Sequence, residues 1–141
     1  MYHIKILSVG KTKEQWLLDA IDEYAKRLRS TVSFTYQWAK NDHQLEELAA
    51  KEKNTILLDP KGSLHTSEQF SSFLVESLER GGSKLTFVIG GADGIPKSLL
   101  ADGQKISLSP LTFTHQMSRL ILIEQIYRAL EIDKGSDYHR A

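Results

Sequence analysis

Along the chain the spacing of apolar positions changes several times, and each change marks an element. Ile4–Val9 is an apolar-rich run closed by Gly10, which predicts a first strand and turn. Trp16, Leu17, Ala20, Ile21, Tyr24, Ala25 and Leu28 then recur at helical spacing among charged residues, predicting an amphipathic helix. Val32, Phe34, Tyr36 and Trp38 alternate as a second strand, and Asp42–Lys51 reads as a helix with Leu45 and Leu48 inward. Thr55–Leu58 is a buried strand, ended by Asp59-Pro60-Lys61-Gly62. Thr66 or Ser67 caps a helix whose apolar stripe includes Phe70, Phe73, Leu74 and Leu78, and Gly81-Gly82 stops it. Leu85–Ile89 is another buried strand. Ile95–Leu100 is a short helix with Pro96 in its first turn, and Ile106–Leu108 a short strand. Residues 109–114 form a loop, a long helix runs from His115 to about Ile132, and residues 133–141 are a tail.

Alternating strands and helices predict an α/β fold, a mainly parallel sheet flanked by helices, as a single domain over residues 1–141. In the last helix Leu120, Leu122, Ile123, Ile126, Ala129 and Leu130 cover one wide arc, while Met117, Ile121 and Tyr127 extend the apolar surface to another side. A helix apolar around most of its circumference needs two partners, and a second copy of the chain is the expected one; deep burial within a monomer explains the same pattern.

With 40% hydrophobic and 26% charged residues, the composition excludes a disordered chain. Zero cysteines exclude disulfides, thiolate metal sites and cysteine nucleophiles. The N-terminus lacks the pattern of a signal peptide, and the longest unbroken apolar run, Leu120–Ile123, is far short of the ~18 residues of a membrane span. A cytoplasmic protein is expected. Lys plus Arg and Asp plus Glu balance at 18 each, unlike a globally basic nucleic-acid binder. Residues 1–40 nevertheless carry seven basic against four acidic side chains, so any RNA contact is expected there, although a solvated surface with uneven charge explains these counts at least as well.

Three stretches carry candidate chemistry. Gly90-Gly91-Ala92-Asp93-Gly94 follows a strand directly, where glycines let backbone N–H groups approach a ligand; it is neither a dinucleotide fingerprint nor a Walker loop, and a tight turn explains it equally. The loop from Leu108 to Thr114 runs into a helix start, with Thr114 as a possible cap and His115 where the helix dipole disfavours its protonated form. The tail ends in Tyr138-His139-Arg140, which suits phosphate, proton and stacking contacts, although a frayed terminus has the same composition.

In this order and spacing the motifs resemble the SPOUT-class methyltransferase family called ribosomal RNA large subunit methyltransferase H. The matching stretches are Ile4–Lys11, Thr55–Gly62, Phe87–Gly94, Leu108–Met117, Ile123–Ala129 and Tyr138–Arg140, nearly end to end. The resemblance implies methyl transfer from S-adenosylmethionine to N3 of a pseudouridine in 23S rRNA of the assembled 70S ribosome. It also implies a homodimer, a C-terminal trefoil knot and no metal. Carried over by position, it implies cofactor contacts at Leu58, Gly91, Leu108, Ser109, Pro110, Leu111, Thr112, Phe113 and Thr114. At the substrate it implies Tyr138, His139, Arg140 and Arg128, with His139, or a water it holds, taking the N3 proton. Thr114 stands where the family usually has proline, and the chain is short between its second and third strands. Two other readings suit a similar fold: a non-catalytic ribosome-binding module, and a small nucleotide-binding hydrolase using the Gly90–Gly94 turn.

Overall fold

The computed structural model describes residues 1–101 and 103–141. In chain order the elements are β1 (Tyr2–Val9), α1 (Gln15–Leu28), β2 (Val32–Ala39), α2 (Asp42–Ala50) and β3 (Thr55–Leu64). They continue with α3 (Ser67–Arg80), β4 (Lys84–Ile89), α4 (Lys97–Leu100), β5 (Gln104–Ser107) and α5 (His115–Lys134). The strands form one sheet in the order β2-β1-β4-β3-β5, and every pairing is parallel. All carboxyl ends therefore emerge at one end of the sheet, where ligands bind in open α/β folds.

Both faces are covered, as a parallel sheet requires. Ile4 and Ile6 of β1, Leu85, Phe87 and Ile89 of β4, Ile56 and Ile106 meet Phe70, Leu74 and Leu78 of α3 and Leu122, Ile126 and Ala129 of α5 on one face. Leu7, Leu57 and Val88, their alternation partners, face α2 through Leu45 and Ala49 and reach Ile95. Leu17 and Ile21 of α1 pack with Ile123 of α5.

The predicted elements form, with four shifts. β3 does not stop at Leu58: Ile106 pairs with Leu58 and again with Ser63, so the intervening residues bulge out and the strand resumes against the same neighbour. Gly62 sits at this return, and an added Cβ would lie 2.6 Å from the Ile106 backbone. Pro96 is the residue before α4 rather than part of its first turn. Predicted strand residue Leu108 follows β5, and α5 runs two residues beyond Ile132. Thr66 is the cap of α3, in a capping box with Gln69. The two-sided apolarity of α5 is largely met within the chain, because it packs against both α1 and α3. Met117 and Leu120 join the α1 cluster, and Tyr127 meets Tyr24 at 5.8 Å. No described helix is long and apolar enough to cross a membrane.

Candidate cofactor cavity and tail cluster

Loops leaving three neighbouring strands enclose a cavity of about 550 Å³ at the carboxyl end of the sheet, a size suited to a small-molecule cofactor. The β3 bulge contributes Asp59, Pro60 and Lys61, the β4 turn Gly90–Ile95, and the segment after β5 Leu108, Ser109, Leu111, Thr112 and Phe113. The β4 turn is tight: Gly94 N–H donates to the Gly91 carbonyl at 3.0 Å. Its strict position is Gly90, where a Cβ would fall 2.3 Å from the Gly94 carbonyl carbon, whereas a Cβ on Gly91 would meet only Val9 at ordinary contact. The turn leads into a four-residue helix, which offers little dipole for a nucleotide phosphate.

The loop before α5 is ordered by its own side chains. Ser107 Oγ donates to the Ser109 carbonyl, and Leu111 N–H donates to Ser109 Oγ, both at 3.0 Å. Thr114 has φ −62°, within the range a proline would impose, and its Oγ1 accepts from Met117 N–H, closing the helix end. His115 lines the cavity, with its pKa lowered by burial and then by the charges of Arg119 and Lys13.

Of the predicted cofactor residues, Leu58, Gly91, Leu108, Ser109, Leu111, Thr112 and Phe113 line the cavity; Pro110 and Thr114 do not. The predicted substrate residues gather elsewhere. After α5 the tail folds back along that helix: Tyr138 Oη donates to Glu124 Oε2 at 2.8 Å, and Arg128 donates to the same oxygen at 2.7 Å. Arg128 also lies 3.1 Å from His139 Nδ1. Its guanidinium sits 4.8 Å over the Tyr138 ring, which meets Tyr127 edge-on. His139 Nε2 is buried, 3.3 Å from Glu68, without a hydrogen bond. Burial alone would raise the Glu124 carboxyl, but bonds from Arg128 and Tyr138 hold it below its usual range. Burial and Glu124 raise the Tyr138 hydroxyl, so it stays protonated and donates. Arg140 is exposed and makes no hydrogen bond within the described residues of this cluster. None of the four lines the cavity.

Three features escaped the sequence reading. Asp59–Lys61, which the sequence pattern places in a strand-ending turn, form a wall of the cavity. Glu124 is the hub of the tail cluster, and its i,i+4 spacing to Arg128 was the available signal. Arg119, only 1% exposed, lies among the buried residues of α5. It donates to Ser8, Val9, Gly10 and Thr12 and stacks 4.3 Å from Trp38, with no carboxylate partner among the described residues. Burial lowers its pKa to about 10, which leaves it cationic at neutral pH. No group of three or more His, Asp or Glu side chains is gathered for a metal among the described residues.

Comparison with known proteins agrees with this architecture. A family model described as a predicted SPOUT methyltransferase matches residues 2–139. The chain is 56% identical over 140 residues to ribosomal RNA large subunit methyltransferase H of Protochlamydia amoebophila, covering 99% of this chain and all of that protein. It is 40% identical over 144 residues to the protein of that name from Prochlorococcus marinus (strain NATL2A), covering 98% and 96% of the two chains. A probable methylase family protein from Haemophilus influenzae shares the fold, with a TM-score of 0.57 at 11% identity over 99% of this chain and 70% of that one. A parallel five-stranded sheet with its cavity over β3, β4 and β5 is thus accompanied by end-to-end sequence similarity, and the chain belongs to the SPOUT methyltransferase family, alongside the ribosomal RNA large subunit methyltransferase H proteins.

Proposed function

We propose that residues 1–141 act as one SPOUT domain, a cytoplasmic ribosomal RNA methyltransferase using S-adenosylmethionine to methylate N3 of a pseudouridine in 23S rRNA, on the assembled 70S ribosome. The observation that carries this reading is the coincidence of the cavity with the residues that match the family's cofactor positions: Leu58, Gly91, Leu108, Ser109, Leu111, Thr112 and Phe113. When bound, S-adenosylmethionine supplies an activated methyl group on a sulfonium. The chain's residues hold and orient the two reactants, an effect that can contribute ~7–11 kcal/mol of barrier reduction.

The tail handles the base. A guanidinium only donates, so the Arg128 contact leaves the lone pair of His139 on Nδ1 and the hydrogen on Nε2. In that state the Nε2 hydrogen is buried beside Glu68, and it reaches a base carbonyl only once the imidazole moves away from that carboxylate. His139 takes the N3 proton only after Nδ1 is released from Arg128, or through a water. Arg128 or Arg140 offers positive charge to the carbonyls as negative charge develops.

The proposed assembly is a homodimer. Its support is that the tail cluster lies away from the cavity of its own chain, so a second copy's tail can complete the site. The trefoil knot belongs to the same proposal. In its favour, the segment after β5 lines the cavity beside the Gly90–Ile95 turn, and α5 then returns against α1 and α3, with Arg119 reaching the end of β1.

Tritiated methyl transfer to ribosomes lacking the modification, followed by nucleoside analysis, tests the reading. Label on N3-methylpseudouridine is expected. No label, with an intact unmodified substrate, refutes it, and absence of S-adenosylmethionine binding supports the ribosome-binding module instead.

A further inference from the structure

The sheet end that holds the cavity continues sideways over β1 and β2, and this second part is basic. Lys11 and Lys13 lie on the turn after β1, and Lys40 follows β2; all three are exposed and enter no ion pair among the described residues. Gly10 N–H donates to the Ala39 carbonyl at 2.8 Å, which joins the two strand ends.

This turn is held with unusual force for an exposed loop. Gln116 Nε2 donates to the Lys11 carbonyl at 3.0 Å. Arg119 donates to the Val9 and Gly10 carbonyls and to Thr12 Oγ1 from below. Both residues stand in the first turns of α5, next to His115 and Ser118 of the cavity wall. The backbone of the turn that carries Lys11 and Lys13 is therefore fixed relative to the cavity. Arg119 also places a buried positive charge, with no carboxylate partner among the described residues, directly under the turn. That field is felt at the cavity wall, where Lys13 and Arg119 act on His115 in the same direction. Glu14 and Asp42 are the acids adjoining the three lysines in sequence, and neither pairs with them.

We propose that Lys11, Lys13 and Lys40 form a preorganised shelf that binds the phosphate backbone of the substrate RNA next to the cofactor cavity. This rests on the function proposed above. A polyanion is the occupant that fits several unpaired ammonium groups on a rigid turn, since each phosphate neutralised releases counterions and gains affinity. Phosphate contacts of this kind set the register of the RNA on the protein.

The test is a filter-binding titration of 70S ribosomes lacking the modification across a range of KCl concentrations at constant magnesium, without cofactor, on wild type and Lys11→Ala/Lys13→Ala. The variant is expected to bind at least tenfold more weakly at low salt, and its log–log salt slope to be shallower by about 2, near one per lysine. Affinity for S-adenosylmethionine, far-UV circular dichroism and light-scattering mass stay unchanged. Lys84→Ala, at the opposite end of the sheet, keeps the wild-type slope. An unchanged slope in the folded double variant overturns the proposal. A changed mass overturns it in favour of a second copy of the chain as occupant, and lost cofactor affinity overturns it by assigning the lysines to the cavity. Because this arm needs no methyl transfer, its failure is separable from failure of the enzymatic reading.

Discussion

Replacing Arg119 with methionine keeps most of the side-chain volume and removes the charge and all five donated contacts. The acceptors left behind are the Ser8 and Thr12 hydroxyls, both buried, the partly buried Val9 and Gly10 carbonyls, and, at 3.5 Å, Gln116 Oε1. Each main acceptor stranded without a partner costs about 1–2 kcal/mol, and the lost stacking on Trp38 about 1–2 more. Against this, the variant no longer buries a guanidinium that lacks an anion, a relief of several kcal/mol. The expected net loss is about 2–4 kcal/mol, a large part of the stability of an ordinary domain. Urea denaturation should show a midpoint lower by about 1–2 M at unchanged slope. Arg119→Lys keeps the charge but reaches fewer acceptors and should fall between. At temperatures where Arg119→Met remains folded, S-adenosylmethionine should bind about tenfold more weakly, because the same residue anchors the start of α5 at the cavity wall. A loss below about 0.5 kcal/mol, or a stabilised variant, would refute the reasoning by showing that water satisfies the stranded acceptors.

Gly90→Ala should disrupt the β4 turn and abolish cofactor binding, while Gly91→Ala should leave the fold intact; equal thermal shifts for the two would contradict the close approach seen only at Gly90. Deleting residues 138–141 should cost little stability and preserve cofactor binding, yet reduce methyl transfer by orders of magnitude; a normal transfer rate would make the tail a bystander. His139→Gln, which donates but is no base, should retain more activity than His139→Ala if the imidazole acts through its Nε2 hydrogen; equal, near-complete loss in both would identify it as the proton acceptor. The stabilisation from Glu124 should be complete above the usual carboxylate range and vanish as pH falls through its lowered folded value. Melting temperatures of wild type and Glu124→Gln should therefore converge in acid, and a gap independent of pH would count against the ion pair.

Local pattern determined much of this protein. Helical spacing in α1 and α3, the buried runs of β1 and β4, and the caps at Thr66 and Thr114 are short-range properties, because a residue's neighbours within one turn or one strand decide them. The cofactor candidates come from the family resemblance rather than from local pattern, and they fall on one contiguous segment, Leu108–Thr114, and at two strand ends, Leu58 and Gly91, which a parallel sheet brings to one edge. Long-range approach was not legible. Whether Asp59–Gly62 ends β3 or bulges from it depends on Ile106, more than forty residues away, pairing with both sides of the bulge. A cation on an apolar helix face has no visible purpose until the carbonyls at the end of β1, 109 and 110 positions earlier, are seen to surround it. Glu124 likewise becomes a hub only when the tail turns back to it. The apolar circumference of α5 calls for two partners, a second copy or the rest of the chain, and within the chain α1 and α3 both pack on it, Ile123, Met117 and Leu120 lying with α1. Hydrophobic burial is non-directional, so a sequence can state that a surface must be covered while only the packed structure decides by what.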